Sequence, residues 1–272
     1  MRRVVYSPRA DRLIYLHEKA TPKFWEALWD AEGAASPPTH RDPVVTVTRR
    51  YLPMGAKLLE GGCGRGNKVK ALTDAGYAAI GVDFAARTVA QARIAYPGID
   101  VRKGDVRALE FADQFFDGYW SIGVIEHFWA GYDAILAEAA RVIRAGGFMF
   151  LTAPWLSPYR QHRVRARGYY IEDFAAEPES FYQFALGRPE VRRALARHGF
   201  RLLRWQGLAS EISMEEDMPR LKPQVDWLLR SRGSIFKRAL RKIIARAADA
   251  YCGHSFMAIA ERQGSIGRVR AR

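Results

Sequence analysis

Lys57-Leu58-Leu59-Glu60-Gly61-Gly62-Cys63-Gly64-Arg65-Gly66-Asn67 is the stretch that decides the fold. A short apolar run meets an acid and then a glycine-rich turn, after which Val69 and Leu72 open a helical spacing. Strand, tight glycine turn and helix begin a nucleotide-binding βαβ unit, whose ligand lies over the turn. The glycines let the backbone turn sharply and approach a ligand that any Cβ would hold away.

The spacing narrows the ligand. A dinucleotide fingerprint needs Gly-x-Gly-x-x-Gly, the third glycine letting the helix approach. Counting from Gly62 and Gly64, the third position is Asn67; from Gly64 and Gly66 it is Val69. Neither fits. The pattern present is Glu-x-Gly-x-Gly-x-Gly, with Glu60 at the strand end. A carboxylate there repels a pyrophosphate and suits a ligand with an ammonium and a sulfonium. In this form the stretch resembles the first motif of the class I S-adenosylmethionine-dependent methyltransferases.

The following residues extend the resemblance. A helix is predicted over 68–75, stopped by Gly76, then a buried strand over 78–83 ending in Asp83, 23 residues after Glu60. An acid at the tip of the second strand can take both ribose hydroxyls, and Phe84 beside it can cover the adenine; the competing role for Asp83 is to cap the next helix. Lys103-Gly104-Asp105-Val106 follows a short strand and resembles the family's adenine site; as a turn residue, Asp105 would need no ligand. Phe116–Phe128 reads as the fourth strand with its C-terminal loop, which places Ser121–His127 at the carboxyl end, where open α/β sheets bind ligands. A helix over 132–144, Ala145-Gly146-Gly147 and an apolar strand to Pro154 complete four features in the family's order across 57–154.

The resemblance implies a doubly wound, seven-stranded Rossmann-like α/β sheet and S-adenosyl-L-methionine as cofactor. Glu60 would hold the methionine amino group, and Gly61, Gly62, Cys63, Gly64 and Gly66 would shape the turn beneath it. Asp83 and Phe84 would contact the ribose and adenine, Asp105 and Val106 the adenine, and Ser121 and Gly123 the methionine end through their backbone. His127 can act as a general base at neutral pH, with Glu126 beside it; alternatively the pair holds the loop together or lines the pocket. No metal is expected.

Outside the core, residues 1–50 read as an N-terminal helical cap. Thr21-Pro22 starts a helix whose Phe24, Trp25, Leu28 and Trp29 pack it on the core or make it a lid; Tyr15 and Trp25 are its candidate acceptor contacts. Residues 34–43 read as a connector. The domain core spans 51–207, a helical insertion 208–251, the closing strand 252–262 and a basic tail 263–272. Residues 155–187 look loop-like, and Arg163 or Arg165 could hold a phosphate or carboxylate of the acceptor.

The net charge of +14 admits nucleic acid, an anionic membrane or acidic substrates. Arginine-rich composition explains it equally, since the arginines are spread widely. Nucleic acid is disfavoured because no aromatic-rich RNA-binding motif accompanies the charge. Over 235–247 an apolar half-wheel faces a basic one without an acid, which suits either peripheral contact with anionic lipid or docking on the protein's own sheet. Two cysteines make no disulfide framework, and neither a leader nor a membrane span is legible. The expectation is a cytoplasmic methyltransferase, with peripheral contact at the inner membrane face as an extension, acting on a small-molecule, lipid or sugar-linked acceptor at oxygen. An RNA methyltransferase and a non-catalytic S-adenosylmethionine-binding protein are the alternatives. Oligomeric state is not legible.

Overall fold

The computed structural model describes residues 3–31, 42–218 and 235–264, and it begins with a hairpin. Strands β1 (Arg3–Ser7) and β2 (Arg12–Leu16) pair antiparallel with Val5 opposite Ile14. The expectation of a purely helical cap over 1–50 is therefore corrected. Val4-Val5-Tyr6 and Leu13-Ile14-Tyr15 are β-branched and aromatic runs that suit a half-buried pleat, and Asp11 takes the left-handed conformation (φ 50°) that reverses the chain. Helix α1 (Pro22–Ala31) starts as expected, with Thr21 Oγ1 accepting the Phe24 N–H at 3.2 Å. The connector over 34–43 lies outside the described residues up to 41; Asp42 then caps α2 (Pro43–Thr48) by accepting the Val44 N–H at 2.9 Å.

The core alternates as the motifs require: β3 (Lys57–Gly61), α3 (Asn67–Asp74), β4 (Ala78–Asp83), α4 (Ala86–Ala95), β5 (Asp100–Lys103), β6 (Phe116–Ile122), α5 (Asp133–Val142) and β7 (Ile143–Pro154). The last strand begins earlier than predicted, because Ile143 pairs with Phe116 ahead of an irregularity in the β6–β7 ladder. The segment 155–187, expected as loop, supplies α6 (Pro158–Arg165), β8 (Tyr170–Ile171) and β9 (Phe181–Ala185). Next come α7 (Arg188–Arg197), β10 (Phe200–Leu208), α8 (Ser210–Asp217), α9 (Ile235–Cys252) and β11 (Ser255–Arg262). Cys252, expected to open the closing strand, ends α9 instead. The basic tail beyond 264 lies outside the described residues.

The seven-stranded sheet has the order β10-β11-β7-β6-β3-β4-β5. Strands β3 to β7 run parallel, and β11 pairs antiparallel with both β7 and β10. Both faces are covered, so the strands read as continuous apolar runs. Leu59, Tyr119 and Leu151 pack on one face with Ile135 and Leu136 of α5, while Leu58, Trp120 and Phe150 pack on the other with Val69 and Leu72 of α3. The second sheet, β8-β1-β2-β9, joins the start of the chain to the segment after β7. It brings β9 against the loop that follows β6, which decides the shape of the site.

Candidate active site

The glycine turn is held by backbone and carboxylate together. The Gly62 and Cys63 N–H groups both donate to the Val82 carbonyl, at 2.8 and 3.1 Å, which pins the turn to the end of β4. Gly62 and Gly66 sit at φ 74°, where a Cβ is strained, and a side chain on Gly62 would also run into Val124. Asp83 then locks the turn: Oδ2 accepts the Gly64 N–H at 2.8 Å and Oδ1 the Ala85 N–H at 2.9 Å. The carboxylate thus shapes the cradle and caps the chain entering α4, with lone pairs left for a ligand.

Beside the turn, a cleft of about 670 Å³ lies outside the carboxyl ends of β3, β4 and β6. Most of the expected site residues line it: Glu60, Gly62, Cys63, Gly64, Asp83, Phe84, Asp105, Val106, Gly123, Glu126, His127 and Trp25. Three expected cofactor residues do not. Gly61 and Ser121 pair with each other in the β3–β6 ladder as part of the floor, and Gly66 stands at the start of α3.

Three expected acceptor residues also lie elsewhere, and these are corrections. Tyr15 is buried on the opposite side of β2, against Leu13, Leu156 and Ala185, because alternate residues of a strand face opposite sides. Arg163 donates to Asp217 Oδ1 at 2.9 Å, and the fully buried Arg160 donates to Asp217 Oδ2 at 2.8 Å, so that carboxylate ties α8 to α6. Arg165 is exposed at the end of α6, away from the cleft.

Cations do line the cleft, each engaged by the protein. Lys68 pairs with Asp42 at 2.8 Å, Arg107 with Asp105 at 2.6 Å, and Arg65 donates to the Trp29 carbonyl at 3.5 Å. The Arg107 guanidinium also lies 5.2 Å from the centre of the Phe128 ring. Its pairing holds the Asp105 carboxyl below the usual carboxylate range.

Two buried carboxyls contrast with these pairs. Glu60 Oε2 and Glu126 Oε2 have no hydrogen-bond partner among the described residues. Burial pushes both from the usual 4.5 up to about 8, Lys68 and the Val69 N–H partly offsetting this at Glu60. An orphaned buried carboxyl at the strand end, beneath the turn, fits a ligand that brings positive charge, so these residues fit S-adenosylmethionine.

His127 is neutral by construction. Its Nδ1 lies 2.8 Å from the Tyr182 carbonyl, which can only accept, so Nδ1 carries the hydrogen and Nε2 keeps a lone pair. Burial lowers its pKa from 6.5 to about 4. Trp25 and Tyr182 meet the imidazole edge-on, each with centroids 5.1 Å away, and Trp29 stacks beside Trp25 at 6.1 Å. Sequence motifs did not assign Tyr182 or Trp29 to the site. Trp29 carried a signal, its four-residue spacing from Trp25; Tyr182 carried only membership of an aromatic-rich segment.

The carboxyls predict a pH dependence. A carboxyl whose pKa is higher folded than unfolded binds more protons in the folded chain, so stability falls as pH rises between the two values. His127, lowered from 6.5 to about 4, acts oppositely, but only below about 6.5. From pH 6.5 to 8 the two glutamates dominate, each by up to about 1.4 kcal/mol per pH unit. Urea denaturation of the ligand-free protein should show stability falling over this window, with a shallower slope in Glu126→Gln. A flat wild-type profile would contradict the burial of these carboxyls.

Comparison with known proteins points to methyltransferases. The methyltransferase-domain family matches residues 59–151. A probable S-adenosylmethionine-dependent methyltransferase of Mycolicibacterium smegmatis is 35% identical over 114 residues, which cover 42% of this chain and 44% of that protein. The ubiquinone biosynthesis O-methyltransferase of Brucella anthropi is 27% identical over 198 residues, 71% of each chain. Phosphoethanolamine N-methyltransferase 2 of Haemonchus contortus, solved with S-adenosyl-L-methionine, aligns with a TM-score of 0.53 at 18% identity, covering 90% of this chain and 58% of that one. The chain spans less than half the length of the first curated relatives it matches.

Proposed function

We propose that this chain, whose core is a class I S-adenosylmethionine-dependent methyltransferase domain, moves a methyl group from S-adenosylmethionine to oxygen of a small-molecule, lipid or sugar-linked acceptor. The observation that carries the reading is the pair Glu60 and Asp83 around the glycine turn, one buried with an oxygen left unpartnered among the described residues and the other locked on the turn. Glu60 would hold the methionine ammonium, Asp83 the ribose hydroxyls, and Phe84, Asp105 and Val106 the adenine end. When bound, the cofactor supplies a methyl group activated by its sulfonium.

The remaining residues supply position and a dry wall. Trp25, Trp29, Phe128 and Tyr182 form the aromatic side of the cleft and exclude water from the acceptor. The His127 Nε2 lone pair is suited to take the acceptor's hydroxyl proton, its ring fixed by the Tyr182 carbonyl. The acceptor group in the cleft is better uncharged than anionic, since the lining cations are engaged by the protein.

Calorimetric titration with S-adenosylmethionine, S-adenosylhomocysteine and NADH tests the cofactor. Binding of the first two and not the third is expected. A preference for NADH would overturn the reading of the glycine spacing. Formation of S-adenosylhomocysteine with cell extract, absent without it, tests turnover against binding alone.

A further inference from the structure

Helix α9 (Ile235–Cys252) presents an apolar stripe to solvent. Ile243 is 64% exposed and Tyr251 51%, with exposed Ala247 between them at the four-residue spacing of one helix face. In the sequence Leu240, three residues before Ile243, and Phe236, four before Leu240, continue the helical spacing. The opposite side of the helix end is seated on the protein: Cys252 is buried, and the Asp249 carbonyl leaves no room for a Cβ on Gly207 of β10. Docking on the protein's own sheet therefore accounts for the inner face and leaves the outer one apolar. Ile212 of the neighbouring α8, 41% exposed, adds to the apolar surface in this insertion.

Charge says what this face suits. The helix carries Lys237, Arg238, Arg241, Lys242 and Arg246, and its one acid is Asp249. That acid is turned inward, Oδ1 accepting the Ser210 N–H at 3.0 Å, while Arg246 is exposed. No 18-residue window in the described helices is apolar enough to span a bilayer, so a membrane contact would be interfacial.

Position gives the face a use. Strand β10 runs parallel to β7, since each pairs antiparallel with β11. The end of β10, the start of α6 and the C-terminal end of α9 thus lie at the edge of the sheet where β3 and β6 open into the cleft.

We propose that α9 rests this stripe on an anionic lipid bilayer, its exposed apolar side chains entering the headgroup region and its cations drawn to lipid charge, with the cleft on the same rim of the sheet. Buried apolar area and attraction to anionic lipid together set the strength of such a contact.

The test is co-sedimentation of the full chain with vesicles of phosphatidylglycerol mixed with phosphatidylcholine, against phosphatidylcholine alone. Binding to the anionic vesicles, weakened by salt, is expected. The pair Ile243→Glu and Tyr251→Glu should cut partitioning by about tenfold or more. Ile243 is largely exposed, whereas the half-exposed Tyr251 meets Tyr159 edge-on with ring centroids 6.0 Å apart. Ile243→Glu is therefore also tested alone and should weaken binding with the melting temperature unmoved. Absence of binding, or equal binding by the double variant, would overturn the proposal. So would a concentration-dependent dimer abolished by the double variant, which would make a second copy the occupant. None of these outcomes depends on the cofactor, so they stand apart from the test of methyl transfer.

Discussion

Asp83→Ala is expected to weaken S-adenosylmethionine binding by at least about 100-fold, because hydrogen bonds to a charged group contribute roughly 1.5–3 kcal/mol each. The substitution removes two things together. It deletes the carboxylate proposed to hold the ribose, and it releases the Gly64 and Ala85 N–H groups that this carboxylate holds in place. Asp83→Asn should fall between the two proteins. Its single oxygen can accept from one of these N–H groups, and whichever way the amide is turned, its NH₂ faces the other donor. Calorimetry separates the contributions. A turn that is merely loosened raises the entropic cost of binding, whereas a lost ribose contact lowers the binding enthalpy in both variants. Wild-type affinity in Asp83→Ala would remove the acid from the site.

Gly81→Val is expected to cost about 3 kcal/mol or more in folding and to abolish cofactor binding, because forced overpacking of a dense core is among the large single-residue effects. Gly81 lies in β4 opposite Glu60 of β3, and a Cβ on it would come within 2.7 Å of both Cys63 Sγ and Val69 Cγ2. Those atoms belong to the glycine turn and to the first turn of α3, both buried. A valine must lift the turn off β4, breaking the bonds from Gly62 and Cys63 to the Val82 carbonyl. Urea denaturation reads the first effect and calorimetry the second. Wild-type stability in this variant would mean that the turn is not packed as described.

The core was legible because its information is local. Each motif lies within one strand–turn–helix step, where spacing, glycine conformation and an acid at a strand tip follow from neighbours in the chain. Glu60, Gly62 to Gly64 of the turn, Asp83 and Phe84, Asp105 with Val106, and Glu126-His127 therefore line the cleft, whereas Gly61, Gly66 and Ser121 do not. The second sheet was not legible. Its strands β1 and β2 come from the first 16 residues and β8 and β9 from 170–185, and apolar alternation says that a strand exists without naming its partner.

The same limit explains the residues expected to meet an acceptor. Arg163 looked available in a basic segment, but Asp217, 54 residues on, folds back to capture it. His127 is oriented by the carbonyl of Tyr182, a backbone atom that every residue carries, so no residue type could signal that contact. In α9 the periodicity drew two faces without saying which would be covered; the close seat of Asp249 over Gly207 decides that.

The sequence by itself determined the seven-stranded α/β core, the turn chemistry and the carboxyls suited to S-adenosylmethionine. Those features depend on backbone conformation and on residues near in the chain. Only the tertiary structure decided which aromatic side chains line the cleft, that Arg160 and Arg163 of α6 serve structure, and that part of the insertion's helix remains uncovered. Those depend on which distant surfaces meet, and a one-dimensional pattern carries the faces of an element without its neighbours.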